Sequence, residues 1–196
     1  MNSSFYKIGR MICKIYFSLV YRVNVIGKEN IPKKGGVLLC SNHISLLDPP
    51  FLASFMKRKV HFMAKSELFA GRLGNGFFRR VGAFPINRGK SDRQALRTAL
   101  KLLKEEKVIG IFPEGTRSKS GELGEGLSGV GFFALRSEAQ VVPCAVIGNY
   151  KLFSKLHIIY GEPLQMNALR EGKASAAEAT KKIMQGIQRI IDEYNK

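Results

Sequence analysis

The sequence predicts an α/β fold with one sheet flanked by helices, and three observations lead to it. Short apolar runs of strand length recur along the chain, as at residues 36–40 and 108–112. Segments with apolar residues at helical spacing separate these runs, most clearly at 91–106 and 174–194. At 196 residues, without a repeat or a linker, the chain has the size of one domain. Strands that alternate with helices form sheets whose functional loops gather at one edge.

The predicted elements follow in a regular order. The chain opens with a helix over residues 4–21, a short strand over 21–26, and a Pro/Gly/Lys turn at 29–35. The other predicted strands cover residues 36–40, 60–64, 81–86, 108–112, 140–147 and 156–160. The other predicted helices cover 50–56, a basic and glycine-broken stretch at 66–80, 91–106, 130–138 and 174–194.

The first helix has the pattern of a helix that lies in a membrane interface, a wide apolar face with a cationic stripe. Its stripe consists of Lys7, Arg10, Lys14 and Ser18. The alternative is an amphipathic helix that packs on the domain's own core. We expect membrane contact, with an interfacial helix at residues 1–22 and an α/β domain at 23–196. No uncharged apolar run approaches the ~20 residues of a membrane span.

Charge and cysteine content restrict the possible partners. The formal net charge is +17, and basic residues are concentrated between 57 and 97. Such an excess favours anionic lipid, phosphorylated substrates or nucleic acid. Cys13, Cys40 and Cys144 form no Cys-x-x-Cys pair, and no zinc-ligand spacing occurs, so we expect no metal site. An odd number of cysteines in apolar runs suits a reducing compartment.

His43 and Asp48 are the candidate catalytic pair. They follow the apolar run at 36–40, and Asp48 before Pro49 is typical of a helix start with Asp as N-cap. On a helix the two side chains would diverge by roughly 140°. In a strand their odd separation would put them on opposite faces. Only a folded loop brings them together, and there the carboxylate would fix the imidazole tautomer and leave the other ring nitrogen free as a base.

Three further loops follow predicted strands, at residues 82–88, 112–118 and 141–145. In the second of them, Pro113 and Gly115 suit a type I turn that would project Glu114 and Arg117. The planar fork of arginine matches phosphate oxygens, and Arg88 and Arg117 come from separate loops. Two arginines beside a His/Asp base describe a site for a phosphorylated alcohol.

Four blocks then match a family in order. They are Asn-His-x-Ser-x-x-Asp-Pro at 42–49, Phe-Pro-x-Asn-Arg at 84–88, Phe-Pro-Glu-Gly-Thr-Arg-Ser at 112–118 and Val-Pro at 142–143. Over residues 24–165 the chain resembles the 1-acylglycerol-3-phosphate acyltransferases (lysophosphatidic acid acyltransferases) among the His-x-x-x-x-Asp glycerolipid acyltransferases. The resemblance implies a single mixed α/β sheet flanked by helices, with an N-terminal amphipathic interfacial helix.

The same resemblance implies the reaction and the site. A fatty acyl group would pass from an acyl-CoA or acyl-carrier-protein thioester to the free hydroxyl of lysophosphatidic acid and give phosphatidic acid, without a further cofactor. His43 would be the base and Asp48 its partner. The implied substrate-binding residues are Asn87, Arg88, Glu114, Gly115, Thr116 and Arg117. The protein would be peripheral, on the cytoplasmic face of an anionic membrane.

The chain departs from the family at one place, because Leu127-Ser128-Gly129 stands where many relatives carry a basic residue just before the Gly. That leaves Arg88 and Arg117 more of the phosphate binding. The conceivable nucleophiles for a covalent route, Ser45 and Cys144, have no recognisable activating context. The glycines at 124, 126 and 129 match a dinucleotide fingerprint by letter but follow a polar turn rather than a strand.

Three other functions stay open at this point. The acceptor could be another lysophospholipid or another phosphorylated molecule. A nucleic-acid-binding protein would account for the charge and for Phe77-Phe78-Arg79-Arg80, but the chain contains no recognised binding module, and we expect no nucleic acid. A non-catalytic membrane-surface module would account for the first helix and the basic run. A nucleic-acid-binding role gives no reason for a His/Asp loop beside Glu114 and Arg117, and a requirement for His43 would separate an enzyme from a membrane-surface module.

Overall fold

One mixed sheet organises the chain, in a computed structural model that describes residues 3–87, 92–118 and 120–196. Within these residues the sheet has seven strands in the order β1-β7-β6-β2-β5-β3-β4. The strands are β1 (Arg22–Ile26), β2 (Val37–Ser41), β3 (Val60–Lys65), β4 (Phe84–Ile86), β5 (Val108–Ile111), β6 (Gln140–Gly148) and β7 (Lys155–Tyr160). The helices are α1 (Ser3–Val20), α2 (Asp48–Phe55), α3 (Gly71–Arg80), α4 (Arg93–Lys104), α5 (Ser128–Arg136), α6 (Asn167–Glu171) and α7 (Ala176–Tyr194). The predicted fold class is confirmed.

The sheet topology brings the functional loops to one edge. β2 pairs in parallel with β5 on one side and with β6 on the other, and β3 runs parallel to both β5 and β4. Only the β6–β7 pair is antiparallel among the strand pairs of the described residues. The carboxyl ends of β2 to β6 therefore meet at one edge of the sheet, which we call the carboxyl edge. In open α/β sheets this is the edge at which ligands bind.

β2 explains the continuous apolar run in the sequence, because it is buried on both faces. Val37 and Leu39 pack with Phe51 and Leu52 of α2 on one face. Leu38 and Cys40 point to the other face, where α4, α5 and α7 supply Ala99, Leu103, Phe133, Ile183 and Ile187. A strand in the middle of a parallel sheet covered on both sides is expected to be apolar at every position.

α1 has two different long faces. Phe17 is 1% exposed and packs on Phe51 with ring centroids 5.0 Å apart, and the Tyr6 hydroxyl accepts a hydrogen bond from the Val60 amide at 3.2 Å. Arg10 donates to the carbonyl oxygens of Met56 and Lys57 at the end of α2.

The opposite face of α1 exposes large apolar side chains, namely Phe5, Ile8, Met11, Ile12, Ile15, Tyr16 and Leu19. The two alternatives raised by the sequence therefore describe two faces of one helix, since one face packs on the core and the other is exposed. The predicted basic stripe is interrupted, because Arg10 binds α2 while Lys7 and Lys14 are exposed. The boundary at residue 22 stays a prediction. None of the helices in the described ranges has the combination of length and apolar character that crossing a bilayer would take.

Several element bounds differ from the expectation, and α3 begins at Gly71 rather than at residue 66. The expected helix start at Ser91 lies outside the described residues; α4 begins at Arg93, where Asp92 caps it by accepting from the Ala95 amide at 2.9 Å. β4 covers only Phe84–Ile86, because the residues before it form the turn that ends α3, with Gly82 at a φ of 92°. The short helix α6 has no counterpart in the prediction.

Candidate active site

The His/Asp loop connects the end of β2 to the start of α2 at the carboxyl edge. Asn42 fixes where it leaves the sheet, because its side-chain amide donates to the Val146 carbonyl at 2.9 Å and accepts from the Val146 amide at 2.7 Å. The side chain thus binds β6 as a strand residue would. Beyond Asn42 the chain is free to turn out of the sheet, and His43 begins that turn.

His43 and Asp48 are in direct contact. The distance from His43 Nδ1 to Asp48 Oδ2 is 2.7 Å, and both side chains are buried. The same Asp48 oxygen accepts from the backbone amides of Ile44 and Ser45 at 2.7 Å each, and Asp48 Oδ1 accepts from the Tyr150 hydroxyl at 2.7 Å. Because two backbone amides and a hydroxyl donate to it, the Asp48 side chain acts here as an acceptor. His43 Nδ1 therefore carries a proton, and Nε2 is left with a free lone pair.

The structure corrects one detail of this pair. Asp48 was expected to cap α2, but Leu47 occupies the N-cap position without a side-chain cap, and Asp48 is the first helical residue. Its carboxylate turns back onto the loop. The reason is energetic, because a cap accepts one or two amide hydrogen bonds, whereas here the carboxylate gathers two amides, a hydroxyl and an imidazole.

Two phenylalanine rings fix the plane of the imidazole. The ring of His43 stacks on Phe112 with centroids 4.0 Å apart and an interplanar angle of 17°, and Phe112 stacks at 5.9 Å on Phe62. Gly110 leaves the space for this stack, since a Cβ at that position would lie 2.3 Å from the Phe62 ring. The Nδ1–Asp48 hydrogen bond and the Phe112 face together leave the imidazole little freedom to rotate.

Glu114 braces the loop that carries His43. One carboxylate oxygen accepts from the His43 backbone amide at 2.9 Å, and the other accepts from the Gly124 amide at 3.0 Å. The His43 carbonyl in turn accepts from the Ser118 amide at 2.8 Å. Both backbone polar groups of His43 are therefore bound by the loop after β5. Because both Glu114 oxygens bond to backbone and the side chain is buried, a part in substrate binding stays a prediction.

The predicted turn after β5 is present. The Gly115 amide donates to the Phe112 carbonyl at 3.0 Å, and Gly115 has a φ of 67°, a conformation that favours glycine. A Cβ on Gly115 would also lie 2.4 Å from a Leu127 methyl carbon. The turn leads directly to Thr116 and Arg117, both of which are exposed. The chain thus presents an exposed guanidinium three residues after Glu114.

The second predicted arginine, Arg88, lies outside the described residues. Asn87, the residue before it, is exposed and follows β4 at the carboxyl edge. Its backbone amide and side-chain amide both donate to Asp92 Oδ2, at 2.9 and 3.0 Å. Hydrogen bonds from the amides of Ala95 and Asn87 lower the pKa of Asp92. Asn87 therefore anchors the start of α4, and its role toward substrate stays a prediction, as does the pairing of Arg88 with Arg117.

The side chains of the alternative nucleophiles, Cys144 and Ser45, have partners different from those of the His43 side chain. Cys144 is fully buried, and burial raises the pKa of its thiol. The Ser45 hydroxyl accepts from the Leu47 amide at 3.2 Å within the loop. Of the other histidines, His61 bonds the Gly82 carbonyl through Nδ1 at 2.9 Å, and His157 bonds the Tyr194 hydroxyl through Nε2 at 2.8 Å.

Tyr150 is the residue that sequence reasoning missed. It lies in the loop between β6 and β7, and its ring packs edge-on against Tyr21 and Phe51 at 5.7 and 6.0 Å. Burial, followed by the charge of Asp48, raises the pKa of Tyr150, so its hydroxyl stays protonated and donates to the carboxylate. The sequence did contain one signal for Tyr150, because the residue comes just after a strand that ends at the carboxyl edge.

Comparisons with known proteins point to one family. A family model described as Acyltransferase matches residues 22–147. The 1-acyl-sn-glycerol-3-phosphate acyltransferase of Bacillus subtilis is 31% identical, over 96% of this chain and 99% of its own. The protein of that name from Borreliella burgdorferi is also 31% identical, over 74% of this chain and 58% of its own.

A solved structure extends the likeness to three dimensions. The crystal structure of the 1-acyl-sn-glycerophosphate (LPA) acyltransferase PlsC from Thermotoga maritima superposes with a TM-score of 0.80 and 27% sequence identity. The superposition covers 97% of this chain and 79% of the other. Since the family model spans most of the sheet and its loops, and the Bacillus protein is similar along nearly the whole chain, this chain belongs to the acyltransferase family.

Proposed function

We propose that this chain transfers a fatty acyl group from an acyl-CoA or acyl-carrier-protein thioester to the free hydroxyl of 1-acylglycerol 3-phosphate, which gives phosphatidic acid. The single observation that carries the proposal is the His43–Asp48 contact through Nδ1, with no hydrogen bond at Nε2 among the described residues. The names of the relatives and of the solved PlsC structure support the choice of acceptor.

The chemistry follows from the free Nε2. It removes the proton of the acceptor hydroxyl as the oxygen attacks the thioester carbonyl, and Asp48 stabilises the imidazolium that forms. The attack forms the ester C–O bond and a tetrahedral intermediate, and collapse of that intermediate re-forms the carbonyl and breaks the C–S bond. The leaving thiolate belongs to a thiol with a pKa of about 8.5, so it needs little help, and the imidazolium returns the proton to it. No covalent acyl-enzyme is needed.

Arg117 is the described residue best suited to bind the acceptor phosphate, because its side chain is exposed and it lies three residues after Glu114. We assign Arg88 the matching role from the loop after β4. Gly115 and Thr116 would offer backbone and hydroxyl donors beside Arg117, and Asn87 and Glu114 would hold the two loops in place. Arg117→Ala should impair use of a phosphorylated acceptor far more than use of the thioester, and Lys should restore it only in part because it lacks the fork.

One assay tests the proposed function. Purified protein is incubated with labelled acyl-CoA or acyl-carrier protein and a panel of acceptors: lysophosphatidic acid, other lysophospholipids and a monoacylglycerol. Preferred acylation of lysophosphatidic acid is the expected result. Preference for another lysophospholipid would revise the acceptor, and an Arg117→Ala protein equally impaired on monoacylglycerol would refute the phosphate role. An absence of transfer to every acceptor would refute the proposal.

The proposed site of action is an anionic membrane surface on the cytoplasmic side, with residues 1–22 as the interfacial segment and 23–196 as the acyltransferase domain. In support, the outer face of α1 is apolar and exposed, and Lys7 and Lys14 lie beside it. Phe5 also contacts Phe77 of α3 edge-on at 6.4 Å, so the apolar surface extends to a helix rich in arginine. An acceptor in the bilayer and a donor in water require a site at their boundary.

Deletion of α1 cannot test this placement, since Phe17 and Tyr6 belong to the core. Replacing Ile8, Ile12 and Ile15 by Gln changes only exposed positions. We expect this variant to float poorly with phosphatidylglycerol-containing vesicles and to keep its thermal stability. Binding of the unmodified protein should weaken in salt, because surface attraction is screened beyond a Debye length of about 8 Å. Flotation equal to that of the unmodified chain would refute the anchoring role of α1.

A further inference from the structure

We propose that the loop between β6 and β7, residues 149–154, is a second lipid-contacting element that inserts Leu152 and Phe153 into an anionic bilayer beside the active site. The inference rests on the proposed function, which supplies the bilayer as the place of the acceptor. Its evidence lies outside α1, in the exposure, backbone, charge and bonding of this loop.

The two apolar side chains of the loop face outward. Leu152 is 67% exposed and Phe153 is 64% exposed. The Phe153 amide donates to the carbonyl of Val20, the last residue of α1, at 2.8 Å. Leu19, next to Val20 in the chain, is 73% exposed. The exposed face of α1 therefore continues at its carboxyl end into the loop.

The backbone at Phe153 is strained. Its φ is 58°, in the left-handed region that bulky residues rarely adopt. Glycine or asparagine would take this conformation at lower cost, and the two other non-glycine residues with positive φ in the described ranges, Glu106 and Lys173, are polar. Because the Phe153 side chain is exposed, packing within the fold does not compensate for the strain. A partner that buries the Phe153 ring would compensate for the strain. Backbone strain of this kind concentrates at binding sites.

The charge around the loop selects the partner. Lys151 and Lys155 flank the apolar pair, Arg22 lies beside them at the start of β1, and all three are exposed. The Arg22 amide also donates to the Ser154 carbonyl, which fixes the two segments together. The sequence contains no Asp or Glu from residue 139 to residue 161. Apolar side chains ringed by cations match the boundary of an anionic bilayer, where the rings enter the acyl region and the ammonium groups meet the headgroups.

The loop also touches the catalytic pair. Tyr150 donates to Asp48, and Leu152 and Phe153 follow two and three residues later in the same loop. The proposed lipid contact is therefore linked to the catalytic pair through residues 150–153. A bilayer held by Leu152 and Phe153 would lie at the mouth of the site. Leu152 and Phe153 would therefore govern delivery of a membrane-bound acceptor, while Tyr150 of the same loop supports the chemical step through Asp48.

A tryptophan reporter tests the insertion directly, because the chain has no tryptophan of its own. The probe is a Leu152→Trp protein mixed with vesicles of phosphatidylcholine and phosphatidylglycerol, and the matched control is Ile26→Trp at the far end of β1, where Ile26 is also exposed. We expect a blue shift and quenching by brominated lipid for Leu152→Trp alone. Unchanged emission of Leu152→Trp in vesicle-bound protein, or equal shifts for both variants, would overturn the proposal.

A polar double variant supplies the second test. In Leu152→Ser with Phe153→Asn, asparagine tolerates the positive φ, so the fold is kept. Removing two apolar side chains should weaken vesicle partitioning by about tenfold. Acylation of a lysophosphatidate embedded in vesicles should slow, while turnover of a short-chain, water-soluble acceptor should not. Unchanged partitioning, or equal loss on both acceptors, would overturn the loop's role.

The two proposals fail separately. Flotation and tryptophan emission report contact with lipid and require no catalysis. If the unmodified chain acylates no acceptor but the Leu152→Trp signal shifts, the proposed function falls and the lipid contact stands. If the chain is active and the Leu152→Trp emission does not change, the proposed function stands and the lipid contact of the loop falls.

Discussion

His43 needs both of its ring nitrogens for the proposed chemistry. His43→Ala should lower turnover by about 10²-fold or more, the usual contribution of a general base, with little change in thermal stability. Asp48→Asn should be similarly inactive, because an amide nitrogen would meet the donors of Ile44 and Ser45 and the imidazole would lose its negative partner. The measurements are kcat and a thermal melt for each variant. More than about a tenth of the original turnover in a folded His43→Ala protein would contradict the role of base.

Tyr150 acts through Asp48, as a positioning residue. Tyr150→Phe keeps the ring against Tyr21 and Phe51 and removes only the hydroxyl donor. We expect kcat to fall by about tenfold, equivalent to roughly 1.4 kcal/mol of transition-state stabilisation, with the acceptor KM unchanged.

Tyr160→Phe is the matched control for Tyr150→Phe. The Tyr160 hydroxyl is buried and has no hydrogen-bond partner among the described residues, so its removal should leave kcat as it is. Equal loss of activity in the two variants would mean that Tyr150 matters only as a packed ring.

At the scale of single residues, the sequence predicted the His43–Asp48 pair but not Tyr150, which contacts it. His43 and Asp48 are close in the chain, and their spacing alone required a folded loop. Tyr150 comes from a position 102 residues away, and only the pairing of β6 with β2 brings it to the carboxylate. The N-cap assignment of Asp48 failed for a related reason, because it used the local Asp-Pro pattern, whereas the partners of the carboxylate include that distant hydroxyl.

The loop after β5 acts as an element, because it holds the backbone of His43 at two points. Glu114→Gln should weaken this hold on His43. The glutamine side chain would turn its NH2 group, a donor, toward one of the two backbone N–H groups that now donate to Glu114. We expect a loss of about 1–3 kcal/mol in unfolding free energy, together with reduced kcat. Glu125→Gln, an exposed acid in the same loop, is the control and should change neither. An unfolding free energy for Glu114→Gln that matches the control would refute the bracing role.

Elements with a strong local signal could be predicted, and those defined by distant contacts could not. β2 and β5 were readable because both faces of each are apolar, and α7 because its buried residues recur at helical spacing. β4 was predicted too long, since Val81 and Gly82 look like strand residues but donate to Phe77 and Arg79 at the end of α3. For α1 the periodicity alone could not assign its two apolar sides, one to the core and one to the surface.

Across the whole molecule, the pairing of β1 with β7 ties the first strand to the last. Val23 lies opposite Leu156, and nearly the whole acyltransferase sheet separates them in the chain. During synthesis β1 therefore leaves the ribosome long before the strand beside which it will lie, and pairings between such distant segments form slowly. Since α1 precedes both strands in the chain, the lipid contact proposed for it would precede completion of the fold. In pulsed hydrogen-exchange refolding, the β1 amides should gain protection no earlier than those of β7; earlier protection of β1 would contradict this order.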